Sequence, residues 1–327
     1  MNLRIIILLL LVIVSTGASV WLYLQSGNNE VMAFEGHKLE LELENAAKDF
    51  QRIKIENHQG VLFSAVKDTD RWIATHLDTV MTFPVDTKKL ARLVIDLSQT
   101  RVVELKTSQP DFYHRLGVES VRDEDAQSVL IETGGANDAT SLLVGRQAAG
   151  GRGTYVRQPE SQTSVLVDKN YRLPENRSSW LTRDILPFTS TAIRDIVIAL
   201  NGAPLLNLDR HGESVDGWQI SDLAPTETLR YPTVIGQAVD KMLAFNFEAV
   251  SPYVPAQWEQ QAQLSQLVFT LEDGTEVMAY IASAKQAGYE LRFEVPGAKP
   301  WFTEWKFVLT ESQARPFLLS RDMMVQG

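Results

Sequence analysis

The sequence predicts an α+β protein: an N-terminal transmembrane helix followed by two tandem repeats of mostly antiparallel sheet, each with one main helix. Two observations support this prediction. One pattern occurs twice in the 327 residues, from Phe50 to Val102 and from Ile193 to Val250. An apolar segment, Ile5 to Leu24, precedes both copies. The length suits about two domains.

Each copy contains an apolar triplet, a glycine turn, a tryptophan, an aromatic-proline pair and an apolar helical stripe. The corresponding residues are Phe50, Ile53 and Ile55 with Ile193, Ile196 and Ile198; Gly60 with Gly202; Trp72 with Trp218; and Phe83-Pro84 with Tyr231-Pro232. Residues 180–186 and 318–324 also match, through Arg183-Asp184 and Arg321-Asp322. We therefore predict an anchor at 1–25, a linker with an edge strand at 26–47, and repeats at 48–188 and 189–327.

The composition excludes several classes of protein. A hydrophobic content of 44% and a charged content of 22% are typical of a folded globular chain. The net charge of −10 argues against nucleic acid as a partner, because phosphates require clustered Lys and Arg. The absence of cysteine excludes disulfides, thiolate metal sites and a lipid-modified N-terminal cysteine.

The N-terminal apolar segment has the length of a membrane span. Its 20 residues, Ile5 to Leu24, would extend about 30 Å as a helix, and Trp21 and Tyr23 suit an interfacial belt. Arg4 before the segment and acidic residues after it place the N-terminus in the cytoplasm. A cleaved signal peptide with its apolar core at residues 5–14 is the alternative, but the apolar stretch continues beyond the weak cleavage site at residues 16–18.

Hydrophobic periodicity predicts the elements of the first repeat. Strict alternation over Lys38–Glu44 indicates a half-exposed edge strand with glutamates on one face. Apolar spacing from Asp86 to Leu97 predicts an amphipathic helix, which Asp86 can cap. A single helical turn is expected from Pro110 to Leu116, ended by Gly117. The predicted strands are 51–56, 61–66, 71–75, 101–105, 128–133, 141–144, 155–157 and 164–168.

The second repeat shows the same order. A helix is predicted from about Val234 to Phe245, after strands and Trp218. The predicted strands are 195–200, 205–209, 267–271, 276–281, 289–294 and 305–310.

No local pattern predicts a catalytic, cofactor-binding or metal-binding residue. The glycine stretch from Ala149 to Gly153 precedes β-forming residues, so a hairpin loop is favoured over a phosphate loop. The paired acids at Asp68 and Asp70, and those at 123–125, lie in polar turns and lack the calcium-loop pattern. The histidines are isolated and no thiolate is present. They are His37, His58, His76, His114 and His211.

Residues that recur in both copies are expected to serve packing rather than function. This applies to Trp72 with Trp218, and to the two Arg-Asp pairs, because packing constrains both copies of a duplication. Trp180 and Trp301 lack aromatic counterparts in the other copy and are candidates for an exposed contact surface.

The first repeat resembles the bacterial domain-of-unknown-function 4340 family. The resemblance depends on the strand-strand-Trp-Pro-helix-strand order, on Tyr113–Val118, on Leu143-Val144-Gly145 and on Thr154-Tyr155-Val156. It covers about Phe50 to Leu186, and the Leu-Gly pair after the short helix has no clear match in the second repeat. The resemblance implies an exported region behind one bacterial inner-membrane span, often beside ABC-type transport systems of the gliding-motility kind, and no catalytic residues.

The leading functional hypothesis is a non-enzymatic, membrane-anchored envelope protein that is an accessory or scaffold of an ABC-type transport complex. Residues 5–24 would contact membrane lipid, and the C-terminal region would lie in the periplasm. A ligand-binding module for an envelope glycan or small molecule, with its pocket between the repeats, is the second hypothesis. The third is a hydrolase whose carboxylates are gathered by the fold.

Overall fold

A computed structural model describes residues 50–135, 139–200, 203–210, 216–284 and 288–326. Within these ranges the protein is mostly antiparallel β, with few helices and two main sheets. The predicted anchor and linker at 1–47, including the strand at Lys38–Glu44, lie outside the described residues, as do Gly202 and His211. None of the described helices has the length and hydrophobicity that a membrane crossing requires.

The first sheet is built from nine strands. In chain order they are β1 (Arg52–Asn57), β2 (Gly60–Asp68), β3 (Arg71–Ala74), β4 (Phe83–Pro84), β5 (Val102–Leu105), β6 (Val129–Gly134), β7 (Ala139–Gln147), β8 (Thr154–Arg157) and β9 (Val165–Val167). Their spatial order is β4-β3-β2-β1-β6-β7-β8-β9-β5. Ile53 and Ile55 are buried while their neighbours in β1 are more exposed, which is the period-two pattern of a sheet with one face on the core.

The second sheet is built from eight strands. They are β10 (Ile193–Leu200), β11 (Ala203–Asp209), β12 (Gln219–Ile220), β14 (Ala249–Pro252), β15 (Gln263–Leu271), β16 (Glu276–Ser283), β17 (Tyr289–Glu294) and β18 (Trp305–Leu309). Their spatial order is β12-β11-β10-β15-β16-β17-β18-β14. The remaining strands, β13 (Thr228–Leu229) and β19 (Val325–Gln326), pair with each other in a separate ribbon.

The two main sheets have the same strand order once β4 is set aside. The order β3-β2-β1-β6-β7-β8-β9-β5 in the first sheet then corresponds, strand by strand, to β12-β11-β10-β15-β16-β17-β18-β14 in the second. The first hairpin of each sheet also shifts register at corresponding points, after Ile55 and after Ile198. The shared order and shared irregularity support the predicted duplication. The sheets are separate, and the domain boundaries at 48–188 and 189–327 stay predictions.

The described helices are short apart from one in each half of the chain. They are α1 (Thr87–Ser98), α2 (Tyr113–Leu116), α3 (Val234–Leu243), α4 (Pro255–Trp258), α5 (Glu311–Ala314) and α6 (Arg321–Met324), with 3₁₀ turns at Pro110–Phe112, Ser190–Ala192, Trp301–Glu304 and Arg315–Phe317. The predicted cap is confirmed: the Asp86 carboxylate accepts hydrogen bonds from the backbone N–H groups of Lys88 and Lys89 at 3.1 and 3.2 Å. The structure ends α3 at Leu243, two residues before the predicted end.

An arginine fixes a short helix against the outer face of each sheet. The guanidinium of Arg157 lies 4.3 Å from the ring centroid of Tyr113 in α2, and that of Arg292 lies 5.3 Å from the ring centroid of Trp258 in α4. Both arginines alternate with core-facing residues of their strands, so their side chains lie on the outer faces. A cation–π contact of this kind contributes about 0.5–2 kcal/mol.

We call the part of the chain that contains the first sheet the first half, and the part that contains the second sheet the second half. One aromatic side chain of the first half packs into the core of the second half. Phe83 of β4 is fully buried, and its ring centroid lies 5.0 Å from those of both Trp301 and Trp305, in edge-to-face geometry. Phe247 and Phe307 complete the contact at 6.1 and 6.4 Å. The buried apolar residues of the two halves consequently form one continuous cluster.

Replacing Phe83 with Ala should destabilise the contact between the halves. Truncation of a buried phenylalanine costs about 3–5 kcal/mol, because apolar surface is lost and a cavity remains. Thermal unfolding of the full-length protein, followed by circular dichroism, should show a clearly lower Tm. Val80→Ala removes an apolar side chain that is fully exposed and should leave the Tm unchanged; equal effects of the two substitutions would contradict the assignment.

Candidate functional site

A cleft of about 820 Å³ lies where the two halves of the protein meet, beside the Phe83 contact. The first half contributes the start of α1 (86–92) and residues 172–183, while the second contributes residues 246–248 and Gln313. A volume of this size suits a small molecule or part of a larger one, and ligands favour such junctions. The cleft is therefore the candidate site.

Basic side chains dominate the charge of the cleft. Five basic residues and three acidic ones line it, in a chain whose net charge is −10. In the described part of the chain, no carboxylate lies within salt-bridge distance of Lys88 or Arg172, and both residues are exposed. This local excess of positive charge favours an anionic ligand. The basic residues are Lys88, Lys89, Arg92, Arg172 and Arg183.

Two of the three acidic residues already accept hydrogen bonds from neighbouring groups. Asp86 caps α1 and also lies 3.4 Å from the Nζ of Lys89, which donates in turn to the carbonyl of Ser179 at 2.7 Å. Glu248 accepts a hydrogen bond from the side-chain amide of Gln313 at 2.8 Å. These contacts fix the walls of the cleft and reduce its negative charge towards a ligand.

Arg183 connects the two halves at the base of the cleft. Its Nη1 donates to the carbonyl of Phe247 at 2.9 Å, its Nη2 donates to the carbonyl of Ser178 at 3.2 Å, and its guanidinium stacks 3.7 Å from the Phe247 ring centroid. Burial lowers the pKa of Arg183, while the carboxylates of Glu248 and Asp86 oppose this shift. Arginine stays protonated even so, and this half-buried cation holds the second half against the first.

The corresponding Arg321 has a different role. It forms salt bridges with Asp222 at 2.8 Å and with Glu227 at 2.5 Å, both within the second half. Hydrogen bonds from Arg321 lower the pKa of Glu227 to about 2. Both arginines thus have structural contacts, as their recurrence in the sequence predicted, but only Arg183 joins the two halves.

The prediction of an exposed surface at Trp180 is wrong. Trp180 is 3% exposed, because its ring packs edge-to-face against Phe63 with centroids 5.2 Å apart. Trp301 is half-buried and contacts Phe83, so its partner is the other half of the same chain. Trp218 is buried, as predicted, whereas Trp72 is partly buried against Phe50.

Other predictions from local patterns are confirmed. The glycine stretch at 149–153 joins β7 to β8 as a hairpin loop, and the acidic residues at 68, 70 and 123–125 are exposed. That the protein has no metal site stays a prediction; among the described residues, no group of three or more His, Asp or Glu side chains could hold a metal ion.

No sequence pattern indicated that His76 has a structural role. This side chain is 4% exposed, and its Nε2 lies 2.7 Å from the carbonyl of Arg177. Its Nδ1 lies 3.2 Å from the backbone N of Ser64. An isolated histidine before a polar stretch gives no periodic signal, so only the fold shows that it ties residue 177 to the first sheet.

The motifs that carry the family resemblance have packing roles. Gly117 ends α2 in the left-handed conformation, with φ of 69°. A Cβ on Gly145 would lie 2.3 Å from the carbonyl oxygen of Leu116 and 2.7 Å from that of Gly117, so β7 can pass beneath α2 only without a side chain there. The hydroxyl of Tyr113 in α2 donates to the carbonyl of Gln162.

The described residues thus form a mostly antiparallel β protein with two main sheets of the same strand order. An apolar contact joins the sheets beside a basic cleft. The family model described as "Domain of unknown function (DUF4340)" matches residues 72–266, which is more than half of the chain. The protein therefore belongs to this family. Neither a curated protein nor a solved structure matches the chain.

Replacing Gly145 with Ala should destabilise the fold. Because the added Cβ would overlap two carbonyl oxygens, we expect a cost of about 3 kcal/mol, typical of overpacking. Gly150→Ala is the matched control: its Cβ would meet no atom within 4 Å, and only the positive φ of 92° would be costly, by about 1 kcal/mol. Thermal unfolding of both variants tests this ranking of stabilities. A larger drop in Tm for Gly150→Ala than for Gly145→Ala would contradict it.

Proposed function

We propose that the protein is a non-enzymatic binding protein whose cleft between the two halves takes an anionic ligand. The observation that carries the proposal is the cluster of five basic side chains around an 820 Å³ cleft in an acidic chain. Lys88 and Arg172 are available to pair with carboxylate or phosphate groups, and Arg172 can do so with two parallel hydrogen bonds.

Binding fits the cleft better than carboxylate-based hydrolysis does. A glycosidase requires two carboxyl groups that are available for proton transfer and nucleophilic attack. In this cleft Asp86 is the cap of α1, and Glu248 accepts the hydrogen bond of Gln313. The third, Glu175, is exposed and belongs to the rim. Basic groups rather than paired acids are therefore the chemistry that the cleft offers.

We further propose that the protein is anchored in the bacterial inner membrane through residues 5–24, with its C-terminal region in the periplasm. Its place there would be that of an accessory or scaffold of an ABC-type transport complex. The apolar N-terminal segment and the family resemblance support this part of the proposal. In this role, the protein would bind an anionic ligand in the cleft and deliver it to the transport complex.

Charge reversal in the cleft should abolish ligand binding. The probe is a hyaluronan tetrasaccharide, which carries a carboxylate on alternate sugars, and the neutral comparison is chitotetraose. We expect the full-length protein to bind the first more tightly in titration calorimetry, and the Lys88→Glu/Arg172→Glu variant to lose at least tenfold in affinity, since two charge-assisted contacts become repulsive. Lys67→Glu/Arg122→Glu makes the same change in net charge at exposed positions outside the cleft and should bind normally. Equal binding of the two sugars would contradict the proposal.

Crosslinking in native membranes tests the proposed partner. A C-terminally tagged full-length protein should recover ABC-type permease or auxiliary subunits, identified by mass spectrometry. The matched control is a variant in which residues 5–24 are replaced by a cleavable signal sequence, which should recover much less because the anchor is lost. Absence of such subunits from intact membranes would contradict the accessory role and leave the binding proposal standing.

A further inference from the structure

Two depressions adjoin the cleft on opposite sides. One, of about 570 Å³, is lined only by residues of the first half and shares Glu175 and Asn176 with the cleft. The other, of about 600 Å³, is lined only by residues of the second half and shares Asn246 and Gln313 with it. Because the cleft takes its walls from both halves, it lies between the other two. We call the three together the groove.

Charge is distributed unevenly along the groove. Among the described residues, the central cleft carries an excess of basic over acidic side chains. At the first end, Lys54 is neutralised by Glu56 at 2.6 Å and by Glu132 at 3.2 Å. At the second end, Asp240 and Lys241 bring opposite charges. An anionic group therefore has its most favourable position in the centre, and neutral polar groups suit both ends.

Side-chain amides line both ends of the groove and its junctions. A free side-chain amide presents a donor and an acceptor side by side, which matches the hydroxyl and acetamido groups of sugars. Gln313 does not have both groups free, because it donates to Glu248 and accepts from the backbone N–H of Thr310, and Gln237 already donates to the hydroxyl of Thr233. The amide residues are Asn57, Gln59, Asn176, Asn246, Gln237 and Gln313.

We propose that the groove binds an extended glycan strand that carries carboxylate or phosphate groups, with one such group in the central cleft and the hydroxyl and acetamido groups of the flanking sugars at the ends. This inference rests on the proposed function, since its centre is the same anion-binding cleft. A glycan fits the lining better than a peptide does. Extended peptides bind by adding a strand to a free sheet edge, and in the described residues the groove is lined by α1, α3, loops and strands that are already paired.

The dependence of affinity on oligosaccharide length distinguishes an extended glycan site from a compact anion site in the central cleft. We would measure the affinity of full-length protein for hyaluronan oligosaccharides of two to ten sugars by titration calorimetry. The expected result is a rise of at least tenfold from the tetrasaccharide to the decasaccharide, because the longer strand reaches both ends of the groove. Gln59→Ala and Gln237→Ala should each weaken the decasaccharide severalfold and leave the tetrasaccharide unchanged. Gln147→Ala, at an exposed position outside the groove, should change neither.

Each contrary result has its own meaning. Equal affinities for the tetrasaccharide and the decasaccharide would overturn the glycan-strand inference and leave a compact anion site. A length dependence that survives both end variants would overturn the placement along the groove. Tighter binding of an acidic decapeptide than of the decasaccharide would replace the glycan with a peptide. No binding of any of these oligosaccharides would overturn the proposed function together with the inference.

Discussion

The arrangement of the molecule depends on the insertion of Phe83 into the aromatic core of the second sheet. Its ring meets Trp301 and Trp305 edge-to-face at 5.0 Å, a geometry in which the positive ring edge lies against a negative face. Arg183 adds a stacked guanidinium and a hydrogen bond to the carbonyl of Phe247. Together these contacts set the distance between the halves, and hence the width of the cleft beside them.

The cleft is a consequence of how the apolar contact ends. Buried rings join the halves, while the start of α1 and residues 172–183 line the cleft from the first half and residues 246–248 line it from the second. Polar side chains cannot close such a gap without desolvation, which is costly for charges that lack partners. The side chains of Lys88 and Arg172 consequently remain solvated. An anionic ligand can displace the water that surrounds them.

The sequence predicted the elements better than the site. Alternation in β1 and the apolar spacing of α1 are local signals, and both elements formed close to the predicted bounds. Trp180 was misread because its lack of a counterpart in the other repeat says nothing about burial, and it packs on Phe63 through a contact between distant residues. The second functional hypothesis placed a pocket between the repeats, but the residues of the cleft could not be predicted. Its walls come from segments separated by more than 60 residues, which meet only when the halves pack.

The predicted duplication accounts for the shared strand order of the two main sheets. Gly145 lets β7 pass close beneath the short helix α2, so its role is one of packing. The two equivalent arginines show how the copies diverged: Arg321 stays within its own half, whereas Arg183 reaches across to the other. The proposed binding site lies at the junction of the two halves.

Hydrogen–deuterium exchange on the full-length protein, with and without the hyaluronan decasaccharide, tests the central claim most directly. The account predicts ligand-dependent protection at residues 86–92, 172–183 and 246–248, which belong to both halves and surround the cleft. Protection confined to the outer faces of the sheets, around Arg157 or Arg292, would place the ligand elsewhere and contradict it.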